Sequence, residues 1–167
     1  MIQIYCDGGL SLDGGKGFKP TENSVGGWSF IIVNVEGEKK EIILDNSGAE
    51  VGTTNNKMEL TAAIEALEAF KKLGRKEKSI EVCSDAMYVI KGITQWIQGW
   101  QRNNWKNQKD EPVKNKELWL HLHELDQEIK PKWVWIKAHD GNFYNEECDL
   151  KVQEAMRKKK QELANKK

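Results

Sequence analysis

The apolar residues change period several times along this chain, and that succession narrows the folds open to it more than anything else. Ile2, Ile4 and Cys6 alternate with Gln3 and Tyr5, the period-two pattern of a two-faced strand, before Asp7-Gly8-Gly9 breaks the run. Residues 10–27 are rich in Gly, Ser and Asp, carry Pro20, and are expected to loop. Trp28 to Val35 is β-branched and aromatic. Glu36-Gly37 marks a tight turn, and 38–45 supplies the returning strand of a hairpin. The period then becomes helical: Leu60, Ala63, Ile64, Leu67 and Phe70 share one stripe of a helix over 57–73, ended by Gly74. Ile80 to Ser84 is a short apolar strand ending at Asp85. A helix over 86–99, with Gly92 as a candidate break, leads into a Trp-rich, basic stretch, and 117–129 forms another helix that stops near Pro131. Trp133 to Ile136 is the last strand. Asn145 is expected to cap a final helix that fades into a frayed, lysine-rich tail at about 158–167. Hairpin strands followed by alternating helices and strands, in the order βββαβααβα, predict an α/β fold. We expect one domain over 1–167 with a mixed five-stranded sheet and helices on both faces.

Lys plus Arg equals Asp plus Glu at 26 each, so the formal charge is zero and any attraction to phosphate must come from a local patch. The opening Met1-Ile2-Gln3-Ile4-Tyr5 carries no basic leader, and no apolar run approaches the roughly 18–20 residues that cross a bilayer. Cys6, Cys83 and Cys148 are odd in number and widely spaced, unlike a disulfide framework. A reduced, cytoplasmic protein with no membrane association is expected.

Five residues stand out as candidates for chemistry, and each has a plainer use. Asp7 and Asp85 follow apolar strands, at the strand ends where α/β folds place ligands, but Asp also starts turns. If Asn56 is the N-cap of the helix that follows it, Glu59 falls at the reciprocal position of a capping box, although it also borders the apolar stripe. Asp149 lies near the start of the last helix, where an acid suits the helix dipole. His139 stands in a loop, where histidine is usually just solvated. Taken together the four acids say more. Brought into one place they repel, by about 1 kcal/mol per pair at 4 Å in water and several times more in a drier site. Such a cluster needs protons or cations, and an all-oxygen ligand set selects Mg²⁺ or Mn²⁺ over zinc. Two such ions can activate water on one side of a phosphodiester and stabilise the leaving oxygen on the other.

The motifs Asp7-Gly8-Gly9, Thr53-Thr54-Asn55-Asn56-Lys57-Met58-Glu59-Leu60 and Ser84-Asp85 resemble type 1, bacterial-type ribonuclease HI, as do Tyr88-Val89 and Gly92-Ile93-Thr94-Gln95-Trp96-Ile97. So do Pro112-Val113-Lys114-Asn115, His139 with Gly141, and Asn145-Glu146-x-Cys148-Asp149. The resemblance runs in order over nearly the whole chain. It implies an endonuclease that hydrolyses the RNA strand of RNA–DNA hybrids and leaves 5′-phosphate and 3′-hydroxyl ends. Asp7, Glu59, Asp85 and Asp149 would hold two Mg²⁺ ions (Mn²⁺ substituting), and His139 would assist proton movement or product departure. It further implies a basic, Trp-bearing handle over about 96–116 that grips the DNA strand, in a monomer. Trp96 is the expected channel contact, while Trp100 and Trp119 are assigned to packing. Arg102 and Lys106 are taken as phosphate contacts of the handle. Thr54 and Asn115 match residues that hold a DNA phosphate, and Asn55 and Asn56 match the region that senses the minor groove and the 2′-hydroxyl.

Several features depart from that pattern. The loop after Asp7 is long, Gly52 replaces a frequent basic residue, Met87 replaces a polar one, and Asp140 adds a carboxylate beside His139. The handle has five basic residues against two acidic, a net of only +3. A zinc site built from the cysteines and His139 is disfavoured, because Cys6 and Asp7 point to opposite faces of their strand and Cys6 belongs in the core. A hybrid-binding module without catalysis would be expected to lack an acid, and an integrase-like nuclease would be expected to lack the Trp-rich handle.

Overall fold

The structure is a computed structural model that describes residues 1–11 and 23–166. The expected loop with Lys16, Lys19 and Pro20 lies largely outside the described residues. The strands are β1 (Ile2–Leu10), β2 (Val25–Glu36), β3 (Lys39–Val51), β4 (Ile80–Ser84) and β5 (Lys132–Trp135). They form one sheet in the order β3-β2-β1-β4-β5. β1, β2 and β3 run antiparallel to their neighbours, whereas β4 and β5 run parallel to β1. Helix α1 (Asn55–Leu73) and α4 (Lys116–Ile129) cover one face, and α5 (Phe143–Asn165) covers the other.

The alternation in β1 does what its sequence requires. Ile2, Ile4 and Cys6 enter the larger core with Leu60, Ala63, Ile64, Leu67 and Phe70 of α1 and Trp119, Leu122 and Leu125 of α4. Tyr5 faces the other way, into a smaller core with Cys83 and Cys148. All three cysteines are buried and free.

Four boundaries differ from the sequence reading. The hairpin turns at Gly37 as expected (φ 63°), but β2 begins at Val25 and β3 runs on to Val51. The turn-like Asp45-Asn46-Ser47-Gly48 stays in the ladder because it pairs with β2 along its length, after a bulge that leaves Ile43 without a partner. Helix α1 is capped by Thr54, whose Oγ1 accepts from the Lys57 N–H at 3.2 Å, not by Asn56. Glu59 therefore lies further along the helix than a capping-box position. The cap of α5 is Asn142, which accepts from the Asn145 N–H at 3.1 Å, and the helix holds through Asn165. Lysines 158–160 are consequently helical.

The expected helix over 86–99 is three pieces: α2 (Met87–Lys91), a π-helical turn (Gly92–Trp96) and α3 (Ile97–Arg102). Gly92 does not break the helix; it keeps right-handed helical angles (φ −60°, ψ −52°). Its role is close approach. A Cβ at Gly92 would lie 1.9 Å from the Trp119 ring, which is completely buried. The wider turn bends the chain around that indole.

Candidate active site

Parallel pairing of β1 with β4 sets Tyr5 opposite Cys83. Asp7 and Asp85 each lie two residues further on, at the carboxyl ends of adjacent strands and on the face that α5 covers. Asp149 comes from the first turns of α5. That helix is tied to the sheet where Ser29, the β2 partner of Asp7, donates its buried hydroxyl to the Cys148 carbonyl at 2.7 Å. Glu59 comes from α1 on the opposite face. A side chain at Gly8 would prevent this, since a Cβ there would lie 2.3 Å from the Met58 carbonyl carbon and 2.4 Å from the Glu59 nitrogen. Glycine after Asp7 thus lets the helix backbone rest on the strand and sets Glu59 beside Asp7.

The electrostatics agree with this placement. Burial, followed by the charges of Asp85 and Asp149 and a smaller contribution from Glu59, pushes the Asp7 carboxyl up to about 8; a hydrogen bond from Gly8 opposes this. Burial and the charge of Asp85 push Glu59 up to about 7, against a lowering hydrogen bond from Asn55. Among the described residues none of the four acids is in an ion pair with Lys or Arg, and no three of the His, Cys, Asp and Glu side chains close into a finished cage. The donor set is all oxygen and carries uncompensated negative charge, and both properties fit a hard divalent cation.

Two amides orient the acids. Asn55 Nδ2 donates to Glu59 Oε1 at 2.8 Å, so the residue expected at the minor groove holds a carboxylate instead; Asn56 is exposed beside it. Asn145 is buried and donates to Asp85 Oδ2 at 3.2 Å. Sequence reasoning gave Asn145 only a capping role. Sixty residues separate the pair, and no local pattern marks it. The Trp135 indole N–H donates to the Asp85 carbonyl at 3.2 Å. His139 is exposed on the loop before α5, with φ 57°, and Gly141 follows with φ 79°. No hydrogen bond or ion pair joins His139 to Asp140 among the described residues, which favours a turn role for Asp140.

Away from the acids, the Tyr88 hydroxyl is a hub that spacing did not reveal. It accepts from Asn115 Nδ2 at 3.2 Å and from Trp119 Nε1 at 3.1 Å. The Tyr88 ring packs against Trp96 and Trp119, and Trp100 links Trp96, Trp105 and Trp119. Trp119 is fully buried and Trp100 partly so, in keeping with their assignment to packing, while Trp96 is 38% exposed. Asn115 adopts a left-handed conformation (φ 60°) at the start of α4 and lines a groove of about 550 Å³ with Thr53, Lys57, Thr61 and Lys116. Thr54 spends its hydroxyl on the helix cap; its neighbour Thr53 faces the groove. Arg102 and Lys106 are exposed, and Lys106 Nζ lies 3.6 Å from Asp110.

A family model for RNase H matches residues 1–157. Ribonuclease H of Treponema denticola is 44% identical over 167 residues, covering 94% of this chain and 98% of its own length. Ribonuclease H of Pelobacter propionicus is 41% identical over 155 residues, covering 93% and 84% respectively. Among solved structures, LC9-RNase H1, a type 1 RNase H with the type 2 active-site motif, matches with a TM-score of 0.79 at 23% identity, over 93% of this chain and 71% of that one. LC11-RNase H1 in complex with an RNA/DNA hybrid matches with a TM-score of 0.66 at 24% identity, over 95% and 98%. The chain belongs to the ribonuclease H family and is an enzyme of that family.

Proposed function

We propose that this enzyme hydrolyses the RNA strand of RNA–DNA hybrids, leaving 5′-phosphate and 3′-hydroxyl ends, with Asp7, Glu59, Asp85 and Asp149 as the ligands of two Mg²⁺ ions. The observation that carries the reading is the Asp7 carboxyl, pushed up to about 8 by burial and by two facing acids. Bound Mg²⁺, or Mn²⁺ in its place, supplies the charge that activates water and stabilises the leaving oxygen. The protein's own work is to hold the acids. Asn145 orients Asp85, Asn55 orients Glu59, and the close approach at Gly8 fixes the spacing of strand and helix. His139, exposed at the rim, exchanges protons or helps product leave; such help is worth about 10²–10⁴-fold at most, so His139→Ala slows turnover without abolishing it.

The hybrid lies across the acids with its DNA strand toward the handle. Trp96 meets a sugar, Arg102 and Lys106 meet phosphates, and the Thr53–Lys57–Asn115 groove takes a further phosphate near Thr54. Asn55 and Asn56 border the minor groove. All of these residues come from one chain, consistent with a working monomer, and three free buried thiols suit the reducing cytoplasm. None of the helices among the described residues is long and apolar enough to cross a membrane.

The test is cleavage of labelled RNA–DNA, RNA–RNA and DNA–DNA duplexes in Mg²⁺ and again in EDTA, with Asp7→Asn, Glu59→Gln, Asp85→Asn and Asp149→Asn alongside the parent. Only the hybrid is cut, only with metal. The first three variants lose most activity while still binding hybrid, and Asp149→Asn is milder. Near-normal turnover by Asp85→Asn would overturn the assignment of the acids.

A further inference from the structure

The outer side of the handle carries a second groove, of about 570 Å³, floored by Trp96 and Trp100 and bordered by Gln95, Gly99, Asn107 and Gln108. That volume lies in the range of about 300–1,000 Å³ typical of small-ligand sites. Three observations say what it suits. The two indoles stand 6.0 Å apart at 52°, and Trp96 is 38% exposed, so a flat aromatic face is open. Gln95 and Gln108 are exposed and have no side-chain partner among the described residues, while Asn107 uses only its Oδ1, accepting from the Lys109 and Glu111 N–H groups at 2.9 and 3.0 Å. Carboxamides therefore offer donors and acceptors along the edge. The only cation lining the groove, Lys106, shares its charge with Asp110 at 3.6 Å. A ring platform, a carboxamide rim and little net charge match a nucleobase better than a phosphate.

Gly99 is the fourth observation. It sits inside α3, where glycine is the poorest helix former after proline. Nothing in the fold asks for it, because a Cβ there would have no atom within 4 Å. It differs in this from Gly8 and Gly92, which are packed under neighbours. A helical glycine facing open space between two tryptophans has one physical use, which is to let something from outside come close to the backbone.

We propose that this groove binds an unpaired nucleobase of single-stranded DNA running on from the hybrid. The inference rests on the hybrid reading above, since Trp96 belongs to both the DNA grip and the groove wall, and the DNA strand is the one that the handle holds.

The experiment compares the parent with Gly99→Leu, which fills the groove without touching the acids, Arg102 or Lys106. Leucine is the better helix former, so this variant melts no lower than the parent and cleaves blunt hybrid at the parental rate. Dissociation constants are measured by fluorescence anisotropy in EDTA for a blunt hybrid and for the same hybrid with a short DNA overhang, at either end, or an RNA overhang. Stacking one base predicts that a DNA overhang at one end tightens binding by the parent about tenfold. Gly99→Leu loses that gain and keeps blunt-hybrid affinity. Equal affinity of the parent for blunt and overhung hybrids would overturn the proposal, and so would a gain that survives in Gly99→Leu or an equal gain from RNA. If blunt hybrid is cleaved in Mg²⁺ and the overhang adds nothing, the groove assignment alone fails. If the parent neither binds nor cleaves blunt hybrid, the hybrid reading fails and takes the groove assignment with it.

Discussion

Asn145 shows how much a single buried amide can decide. Its side chain is 4% exposed or less with the rest of the residue, and its one charged partner is Asp85 at 3.2 Å. Hydrogen bonds to a charged group are worth about 1.5–3 kcal/mol, and here the bond also sets which way the carboxylate points. Asn145→Ala is expected to lower kcat more than it raises KM, because hybrid is gripped elsewhere. Asn145→Asp is expected to be worse, since it puts a second carboxylate against Asp85 without the donor. Steady-state kinetics on a hybrid substrate separate the two effects. A pure KM change in both variants would assign Asn145 to substrate contact and not to positioning of Asp85. Asp7, Asp85 and Asp149 were all legible as candidates, because each follows a strand or opens a helix. Asn145 was not, since its partner lies in another element.

At the scale of elements, the handle depends on the fit between the π-helical turn and Trp119. Alanine is a better helix former than glycine, yet Gly92→Ala must overlap the Trp119 ring, whose nearest atom lies 1.9 Å from the new Cβ. Overpacking of this kind costs about 1–3 kcal/mol, so urea unfolding of Gly92→Ala is expected to show a lower midpoint despite the propensity gain. A higher midpoint would mean that the ring moves aside freely. The handle's grip has its own signature. With five basic residues against two acidic over 96–116, and Lys106 already beside Asp110, few counterions are released on binding. The plot of log Kd against log salt is expected to be shallow, and the Arg102→Ala/Lys106→Ala double variant shallower still, with similar weakening for every hybrid sequence. An unchanged slope in the double variant would place the phosphate grip elsewhere.

For the whole molecule, the acids put a charge conflict at the end of the sheet that metal relieves. Asp7 at about 8 and Glu59 at about 7 both stand above their unfolded values of about 3.9 and 4.3. The folded state therefore holds these protons more tightly than the unfolded chain. The stability this contributes is fully present below about pH 4 and is lost as pH rises through about 7 to 8. In EDTA the melting temperature is expected to fall across that window on this account. Millimolar Mg²⁺ at pH 8 raises it, with a gain that follows RT ln(1 + [Mg²⁺]/Kd). Asp7→Asn melts higher than the parent in EDTA and gains less from Mg²⁺. Calorimetry at pH 5 and pH 8, with and without Mg²⁺, checks all three. Identical Mg²⁺ gains for parent and Asp7→Asn would count against Asp7 as a ligand.

The sequence alone determined what depends on neighbours along the chain. Period-two alternation decided which face of β1 meets α1. Helical spacing decided which residues of α1 and α4 are buried, and the succession of patterns decided the order of elements. Local chemistry failed where a distant partner outweighed it. Asp45-Asn46-Ser47-Gly48 has the composition of a turn, but β2 supplies a full ladder of hydrogen bonds and keeps it extended. The start of α1 offered two plausible caps, and Thr54 has the hydroxyl that reaches the Lys57 N–H. Gly92 read as a break, and only the Trp119 ring, 27 residues away, shows it to be a contact. The acids could be named from sequence because each has a local reason to be noticed. Their closeness could not, because it depends on the parallel register of β1 with β4, the backbone approach at Gly8 and the anchoring of α5 through Ser29, all of which join residues far apart in the chain.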